Sequence, residues 1–501
     1  MKNYTKHIGF ILILMLLGYS SCDDGFGELN TDPTASIDLN PKFQFSYVQL
    51  RTSGGRYENW RAGLIYSSTM LQHMAAVCGY WNGDKYTWNG DYNSSLFDRV
   101  YQETVKDLQD LIGKLEAGTA GDNTMLGQAR IWRALVFHRI TDLYGDVPYF
   151  EAGKGITEGI DFPKFDEQET IYLDMLNEIE QGIGQLGDGG FESADLMFSG
   201  DTDKWKRFGY SLMLRLGMRL SEVDPGTAQA WTAKAIAGGV MMDGDIALIQ
   251  HTNGPEGINM NGIGEVLDKA VGFGDDCPRL SATLVNWMTS TGDPRLDILG
   301  ELPENGGGHN GLPNGLDATT ILENPTGTAL EDFDRVNAML VSVQSPMIFM
   351  THAETEFLLA EAAIRGWGGG DAATHYENGV RSAMKLYEIY DPSLVIDEGA
   401  VNAYLAVNAF DASNGMQQIG WQHWTVNFLN EYEAFSNWRR TGFPDLTPVN
   451  YDGNVTNGQI PLRLAYPMSA AGREQFEIAR TRQGLGTDFT TFMSVPVWWD
   501  K

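Results

Sequence analysis

The clearest hydrophobic pattern in the chain lies between residues 128 and 151. Apolar side chains recur there at intervals of three and four residues, forming one helical stripe: Ala129, Trp132, Val136, Ile140 and Leu143. Further apolar residues between them would leave this helix apolar around most of its circumference: Ile131, Leu135 and Phe137. Such a helix belongs in the middle of a bundle. Gly145 offers a left-handed end to the helix, and Pro148 prevents it from resuming.

The same period predicts further helices before and after this central one. We place them at residues 70–77, 96–115, 167–186, 205–221, 225–237, 352–365, 371–390 and 421–440. Thr351 and Glu354 form a capping box at the start of one of them. Gly209 and Gly217 in another would allow a neighbouring helix to approach closely. Large aromatic residues, small alanines and a terminal proline at these spacings are typical of tetratricopeptide helix pairs, so we predict an all-α fold in one large domain.

The helical period fades between about residues 242 and 344. The segment 305–315 consists almost entirely of glycine, asparagine, proline and other residues that favour turns. Long segments without regular structure in a compact chain usually bind something or move. We therefore expect a loop-rich segment here, inserted between two helical parts.

The N-terminus has the organisation of a secretory signal. Lys2 and Lys6 precede an apolar run at residues 8–17, which is too short to span a bilayer comfortably. Small residues then lead to Cys22, which suggests lipoprotein processing with Cys22 acylated; plain cleavage without acylation is the alternative. The chain is therefore predicted to have three parts: a lipoprotein signal peptide at 1–21, a tether at 22–41 and a helical domain at 42–501.

Charge and cysteine content narrow the possible partners. The formal net charge of −31 argues against nucleic acid, because phosphate binding needs clustered lysine and arginine. Three cysteines in this length exclude a disulfide scaffold and a zinc motif. With Cys22 acylated, Cys78 and Cys277 remain, and they either pair or stay as two separate buried thiols.

We find no sequence pattern for catalysis, for a metal or for a cofactor. The histidines occur singly, and the chain has no His-Glu-x-x-His, Gly-x-Ser-x-Gly or phosphate-binding loop motif. The acidic pair Glu354 and Glu361 lies on one helical face, where ion pairs with Arg130, Arg215 or Arg219 are the simplest role. The sequence therefore predicts a protein that is not an enzyme.

The strongest candidate for ligand binding is the loop at residues 79–93. Large rings alternate there with glycine, asparagine and aspartate, and few aliphatic residues are present to bury them. Exposed rings can stack on the apolar face of a sugar, while amides at the rim bind its hydroxyl groups. We predict a ligand site from five residues: Trp81, Asn82, Tyr86, Trp88 and Tyr92. The alternative is that Trp81 and Trp88 fold inward and fix the loop to the bundle.

Several short motifs, in this order, resemble those of the SusD/RagB family of surface nutrient-binding lipoproteins. They are Arg130-x-x-Arg133-Ala134-x-x-Phe137, Thr141-Asp142-x-Tyr144-Gly145-Asp146-Val147-Pro148-Tyr149, Asp293-Pro294-Arg295, Trp438-Arg439-Arg440 and the terminal Trp498-Trp499. The resemblance implies four tetratricopeptide-like helix pairs and a loop-rich ligand-binding face. It also implies a TonB-dependent SusC-type transporter as partner, with the lipoprotein anchored in the outer membrane and exposed at the cell surface.

The resemblance makes capture of oligosaccharides for import the leading functional prediction. Some members of the family serve peptide import, so an oligopeptide ligand is the alternative, and the net charge would favour basic peptides. A surface hydrolase is disfavoured by the missing catalytic motifs. A structural lid without a ligand of its own is a further alternative.

Overall fold

The computed structural model describes residues 39–118, 121–254 and 257–501, and Pro41–Lys501 form a compact unit. Helices dominate it, as predicted. In chain order the α-helices are α1 Pro41–Ser53, α2 Arg56–Glu58, α3 Gly90–Asn93, α4 Ser95–Val100, α5 Lys106–Glu116, α6 Asn123–Tyr144, α7 Gly155–Glu158, α8 Gln168–Gln185, α9 Thr202–Arg219, α10 Pro225–Gly238, α11 Gly262–Leu267, α12 Ala282–Thr291, α13 Leu296–Leu299, α14 His352–Ile364, α15 Ala372–Lys385, α16 Glu398–Val407, α17 Gly415–Val426, α18 Glu431–Thr441 and α19 Glu474–Arg482. Two π-helical segments, Asn59–Ser68 and Tyr101–Val105, continue α2 and α4.

The strands are short and pair two by two in antiparallel ladders. They are β1 Met74–Ala76, β2 Val147–Pro148, β3 Phe165–Asp166, β4 Ile246–Ile249, β5 Pro278–Leu280, β6 Gly300–Glu301, β7 Arg335–Val336 and β8 Met347–Thr351, and the pairs are β1–β5, β2–β3, β4–β8 and β6–β7. The β1–β5 pair joins the early part of the chain to the loop-rich segment.

The predicted signal peptide at 1–21, Cys22 and all but the last residues of the tether lie outside the described residues. Within the part of the chain that is described, no helix combines the length and the hydrophobicity that crossing a bilayer requires.

The central helix α6 is buried along most of its length, as the apolar pattern predicts. Asp122 caps its start by accepting a 2.8 Å hydrogen bond from the backbone of Met125, and Gly145 ends it with a φ of 81°. Trp132 is completely enclosed, and its indole N–H donates to the Thr52 hydroxyl at 2.9 Å. The neighbours of α6 are α5, α8, α9 and α18, so it occupies the middle of the bundle.

Two of the predicted helices are wrong in type or extent. Residues 70–77 contain strand β1, because the chain leaves the π-helix at Gln72, whose φ is 63°, and pairs with β5. The stretch at 421–440 is divided into α17 and α18 by a turn, in which Leu429 has a φ of 71°. The loop-rich segment also contains a regular helix, α12, and α16 is not among the predicted helices. The close approach at Gly209 is confirmed: an added Cβ would lie 2.8 Å from Ile183 of α8.

The family-like motifs turn out to be structural. Arg133 lies 4.0 Å above the Tyr149 ring and donates to its hydroxyl at 2.6 Å, which fastens the turn after α6. Asp142 accepts from the indole of Trp499 at 3.0 Å, and the Asp293–Arg295 ion pair is fully buried. These residues stabilise the packing of the helices. The motifs are therefore informative about the fold and say little about which ligand the protein binds.

Candidate functional site

The loop at 79–93 is folded against the body of the protein. Trp81 and Tyr86 have no exposed surface, so neither ring presents a face to a ligand. The Trp81 indole donates to Asp275 at 3.0 Å, and the Tyr86 hydroxyl accepts from the backbone of Val449 at 3.1 Å. The prediction that these two rings face solvent is wrong: partners from distant parts of the chain enclose them. For Trp81, the inward-folded alternative is the correct one.

Three further features keep this loop in place. Cys78 and Cys277 form a disulfide bond just beyond the β1–β5 ladder, which resolves the alternatives left open by the sequence. Lys85 is buried and donates to the carbonyl of Ala76 at 2.6 Å. Gly83 lies so close to the π-helix that an added Cβ would be 1.9 Å from the Ile65 carbonyl oxygen, so only glycine fits there.

A cluster of accessible rings lies beside this loop, and we call it the aromatic platform. It consists of Tyr57, Trp60, Tyr80, Tyr92 and Phe273. Trp60 is central: its ring centroid is 5.9 Å from Tyr80, 6.4 Å from Tyr92 and 5.9 Å from Phe273. Phe273 is 62 % exposed and Tyr80 is 41 % exposed, which is unusual for residues of this size. Contiguous exposed rings mark an interaction surface.

Two arginines lie between the rings of the platform. The Arg61 guanidinium lies 4.9 Å from the Tyr57 ring and 5.0 Å from the Tyr92 ring, and Arg56 bridges Tyr57 and Phe273 at 4.8 and 5.7 Å. Within the described residues neither arginine forms an ion pair, and the Arg61 Nε is buried without a hydrogen-bond partner. Arg56 Nη2 donates to the Tyr57 hydroxyl at 3.0 Å. The platform therefore combines apolar ring faces with two guanidinium groups that pair with no described carboxylate.

Asp275 holds the platform in shape. Its buried carboxylate accepts hydrogen bonds from the indoles of Trp60 and Trp81, at 3.1 and 3.0 Å, and from the Tyr80 hydroxyl at 3.0 Å. Partial burial and the nearby Asp275 carboxylate raise the pKa of Tyr80 to about 12, so its hydroxyl remains protonated at neutral pH. The disulfide at Cys277 fixes the segment that carries Asp275.

The remaining predicted site residues have different outcomes. Tyr92 is half-buried and belongs to the platform. Trp88 and Asn82 are half-buried; Trp88 lies against Gly90 and has no ring contact with the platform.

Some residues of the platform were not predicted from the sequence. Of these, Tyr57, Trp60 and Arg61 occur at helical spacing and would have been recognisable as one face of a helix. Phe273 carries no such local signal.

A second polar cluster, in the core, has a structural role. His138, Asp142 and Glu433 lie close enough together to hold a metal ion. However, Arg219 donates to both oxygens of Glu433 at 2.7 Å, and Arg215 donates to Glu354 at 2.7 and 2.8 Å. The guanidinium groups of Arg219 and Arg215 thus supply the positive charge next to these carboxylates that a metal ion would otherwise supply. The predicted ion pairing is confirmed for Glu354 with Arg215, whereas Glu361 pairs with Arg440.

Comparisons with known proteins agree with this architecture. A sequence model of a SusD-like family, described as starch-binding and associating with the outer membrane, matches residues 41–467. A solved structure described as a chitin-binding protein is 31 % identical, covers 92 % of this chain and 100 % of its own, and superposes with a TM-score of 0.83. A Bacteroidetes SusD-like structure is 25 % identical with a TM-score of 0.79 and covers 92 % of this chain and 100 % of its own.

A chitin-binding SusD homologue from Flavobacterium johnsoniae is 23 % identical, with a TM-score of 0.75, and shares the fold; it covers 92 % of this chain and 97 % of its own. No curated protein matches the sequence. The family match spans most of the chain, and SusD-like proteins are helical, carbohydrate-binding and non-enzymatic. The chain is therefore a member of the SusD-like family.

Proposed function

We propose that this protein binds oligosaccharides on its aromatic platform and passes them to an outer-membrane transporter of the SusC type. The observation that carries the proposal is the cluster of exposed rings around Trp60. Stacking of a sugar on such rings removes apolar surface of both partners from water. The Arg56 N–H groups that do not bond Tyr57 and the terminal N–H groups of Arg61 can donate to hydroxyl or carbonyl oxygens of the same ligand.

The platform favours a glycan over the basic peptide that the net charge would suggest. Arg56 and Arg61 place positive charge directly among the rings, where a lysine or arginine of a peptide would be repelled. The 31 %-identical structure described as chitin-binding makes β-linked N-acetylglucosamine oligosaccharides the first ligand class to test. The N-acetyl carbonyl groups of these oligosaccharides are acceptors suited to the arginine donors.

The other parts of the proposal concern location. The sequence pattern ending at Cys22 supports a lipid anchor, and the family description supports association with the outer membrane. Replacing Cys22 with alanine should leave the protein soluble or unprocessed. If the Cys22→Ala protein still fractionates with membranes in cells that lack the transporter, the anchor is incorrectly assigned.

The ligand site is tested by titration calorimetry with chitohexaose. Removal of two rings in the variant Trp60→Ala/Phe273→Ala should weaken binding at least about tenfold, since ring stacking on bases contributes about 1–3 kcal/mol per ring. Trp287→Ala is the matched control: this tryptophan is also half-buried and stacks on Trp421 at 4.9 Å, outside the platform. Binding that depends on Trp287 and not on the platform would contradict the proposal.

A further inference from the structure

The structure contains a second concave surface, which we call the groove. It has a cavity volume of about 660 Å³ and is formed mainly by three parts of the chain, with Pro148 of β2 beside them. These are α4 with the following π-turn, the segment around Phe162 and Phe165 before and within β3, and the segment from Pro467 to Phe476 that enters α19. The volume lies within the range of small-ligand sites in proteins.

The floor of the groove is rigid and aromatic, and its edge carries an exposed ring. Phe97 and Tyr101 pack at 4.7 Å, and the Tyr101 hydroxyl donates to the Pro148 carbonyl at 2.6 Å, which fixes that ring. Phe162 is 65 % exposed, with the Arg473 guanidinium 5.7 Å from its ring centroid. Phe162 and Arg473 thus form an exposed ring next to a guanidinium group, the same combination that occurs on the platform.

The rim of the groove offers polar groups that the protein itself does not use. Five rim side chains make no hydrogen bond or ion pair with other described residues: Gln102, Ser469, Arg473, Glu474 and Gln475. They supply both donors and acceptors. A surface that combines ring faces with amide, hydroxyl and charged groups matches a sugar, whose own surface alternates C–H faces and hydroxyl groups.

The groove and the platform lie on neighbouring faces of α4. Asp98 lines the groove, and the next residue, Arg99, lies 5.6 Å from the ring of Tyr57 on the platform. Successive helical residues point about 100° apart, so these two side chains serve adjacent surfaces. Met468, which is 61 % exposed beside the groove, lies with Trp88 against Gly90, in the loop that carries Tyr92 of the platform.

We propose that the groove is a second carbohydrate-contacting site, which holds the distal sugars of a glycan whose other end lies on the aromatic platform. The inference rests on the proposed function. A glycan is the expected occupant of the groove because the groove and the platform share the same chemistry and lie close together. Short oligosaccharides occupy the platform alone, whereas longer chains reach the groove and bind more tightly. The protein thus selects for chain length before import.

The test measures the affinities of N,N′-diacetylchitobiose and chitohexaose for the wild-type protein and two variants. The groove variant Phe162→Ala/Gln475→Ala should bind the hexasaccharide about tenfold more weakly, equivalent to about 1.4 kcal/mol, and the disaccharide unchanged. The platform variant Trp60→Ala/Phe273→Ala should weaken both. Because Phe162 is exposed, the melting temperature of the groove variant should equal that of the wild type, which separates binding from folding.

The outcomes distinguish the two proposals. If the groove variant binds chitohexaose with wild-type affinity while the platform variant does not, the groove inference is overturned and the proposed function stands. The groove inference is also overturned if the groove variant impairs only uptake in cells, because the groove would then contact another protein. If the wild type binds neither saccharide, both proposals fail for this glycan class, since the groove is argued as an extension of the platform.

Discussion

Asp275 offers a sharp test of the view that the platform depends on a buried acceptor. In Asp275→Ala the indole N–H groups of Trp60 and Trp81, which both donate to the same carboxylate oxygen, lose their common acceptor. Hydrogen bonds to a charged group contribute about 1.5–3 kcal/mol each. We therefore expect a loss of about 3 kcal/mol in the free energy of unfolding, together with at least a tenfold loss of chitohexaose affinity from the displaced Trp60.

Asp195 provides the matched control. It is also buried, and it too accepts from an indole, that of Trp205 at 2.7 Å, and from several backbone N–H groups. Asp195→Ala should cost at least comparable stability, measured by chemical denaturation, without changing glycan affinity in calorimetry. The reasoning is refuted if Asp275→Ala loses stability but retains wild-type affinity, because the orientation of Trp60 would then be irrelevant to binding.

Of three other predictions, two concern stability and the third concerns glycan binding. Trp132→Ala should lower the free energy of unfolding by about 3–5 kcal/mol, measured in denaturant, with a smaller loss counting against its central role. Burial opposes ionisation of Glu361, but Arg440 and Arg365 outweigh burial and lower the pKa of its carboxyl group to about 2. The ionised Glu361 therefore contributes about 3 kcal/mol to the free energy of unfolding above pH 4.5, and this contribution is lost as the pH falls towards 2. Glu361→Gln should flatten the dependence of melting temperature on pH in that interval. Reduction of the Cys78–Cys277 disulfide should weaken glycan binding, because it frees the segment beside the platform. If the reduced protein binds as tightly as the oxidised one, the β1–β5 ladder alone is enough to hold that segment in place.

The helical parts of the fold were predictable because their signals are local. A stripe repeated every three or four residues, a capping residue and a terminating glycine lie within one helix, as in α6, so no distant contact is needed to read them. The predictions from sequence are wrong where contacts with distant parts of the chain determine the local structure. Residues 70–77 became a strand because β5, about two hundred residues further along the chain, supplies its partner. A short apolar run has no period strong enough to oppose such pairing.

The helical bundle, the family and the surplus of aromatic rings near residue 80 could all be read from the amino-acid sequence. Which of those rings face solvent depends on the packing of distant segments. Few aliphatic neighbours in the loop suggested that Trp81 is exposed, yet Asp275 satisfies its indole N–H and the disulfide at Cys277 keeps that segment against it. Phe273 comes from the same distant segment and completes the exposed surface around Trp60. An aromatic platform assembled from separated segments is a property of their packing, and no single stretch of sequence contains it.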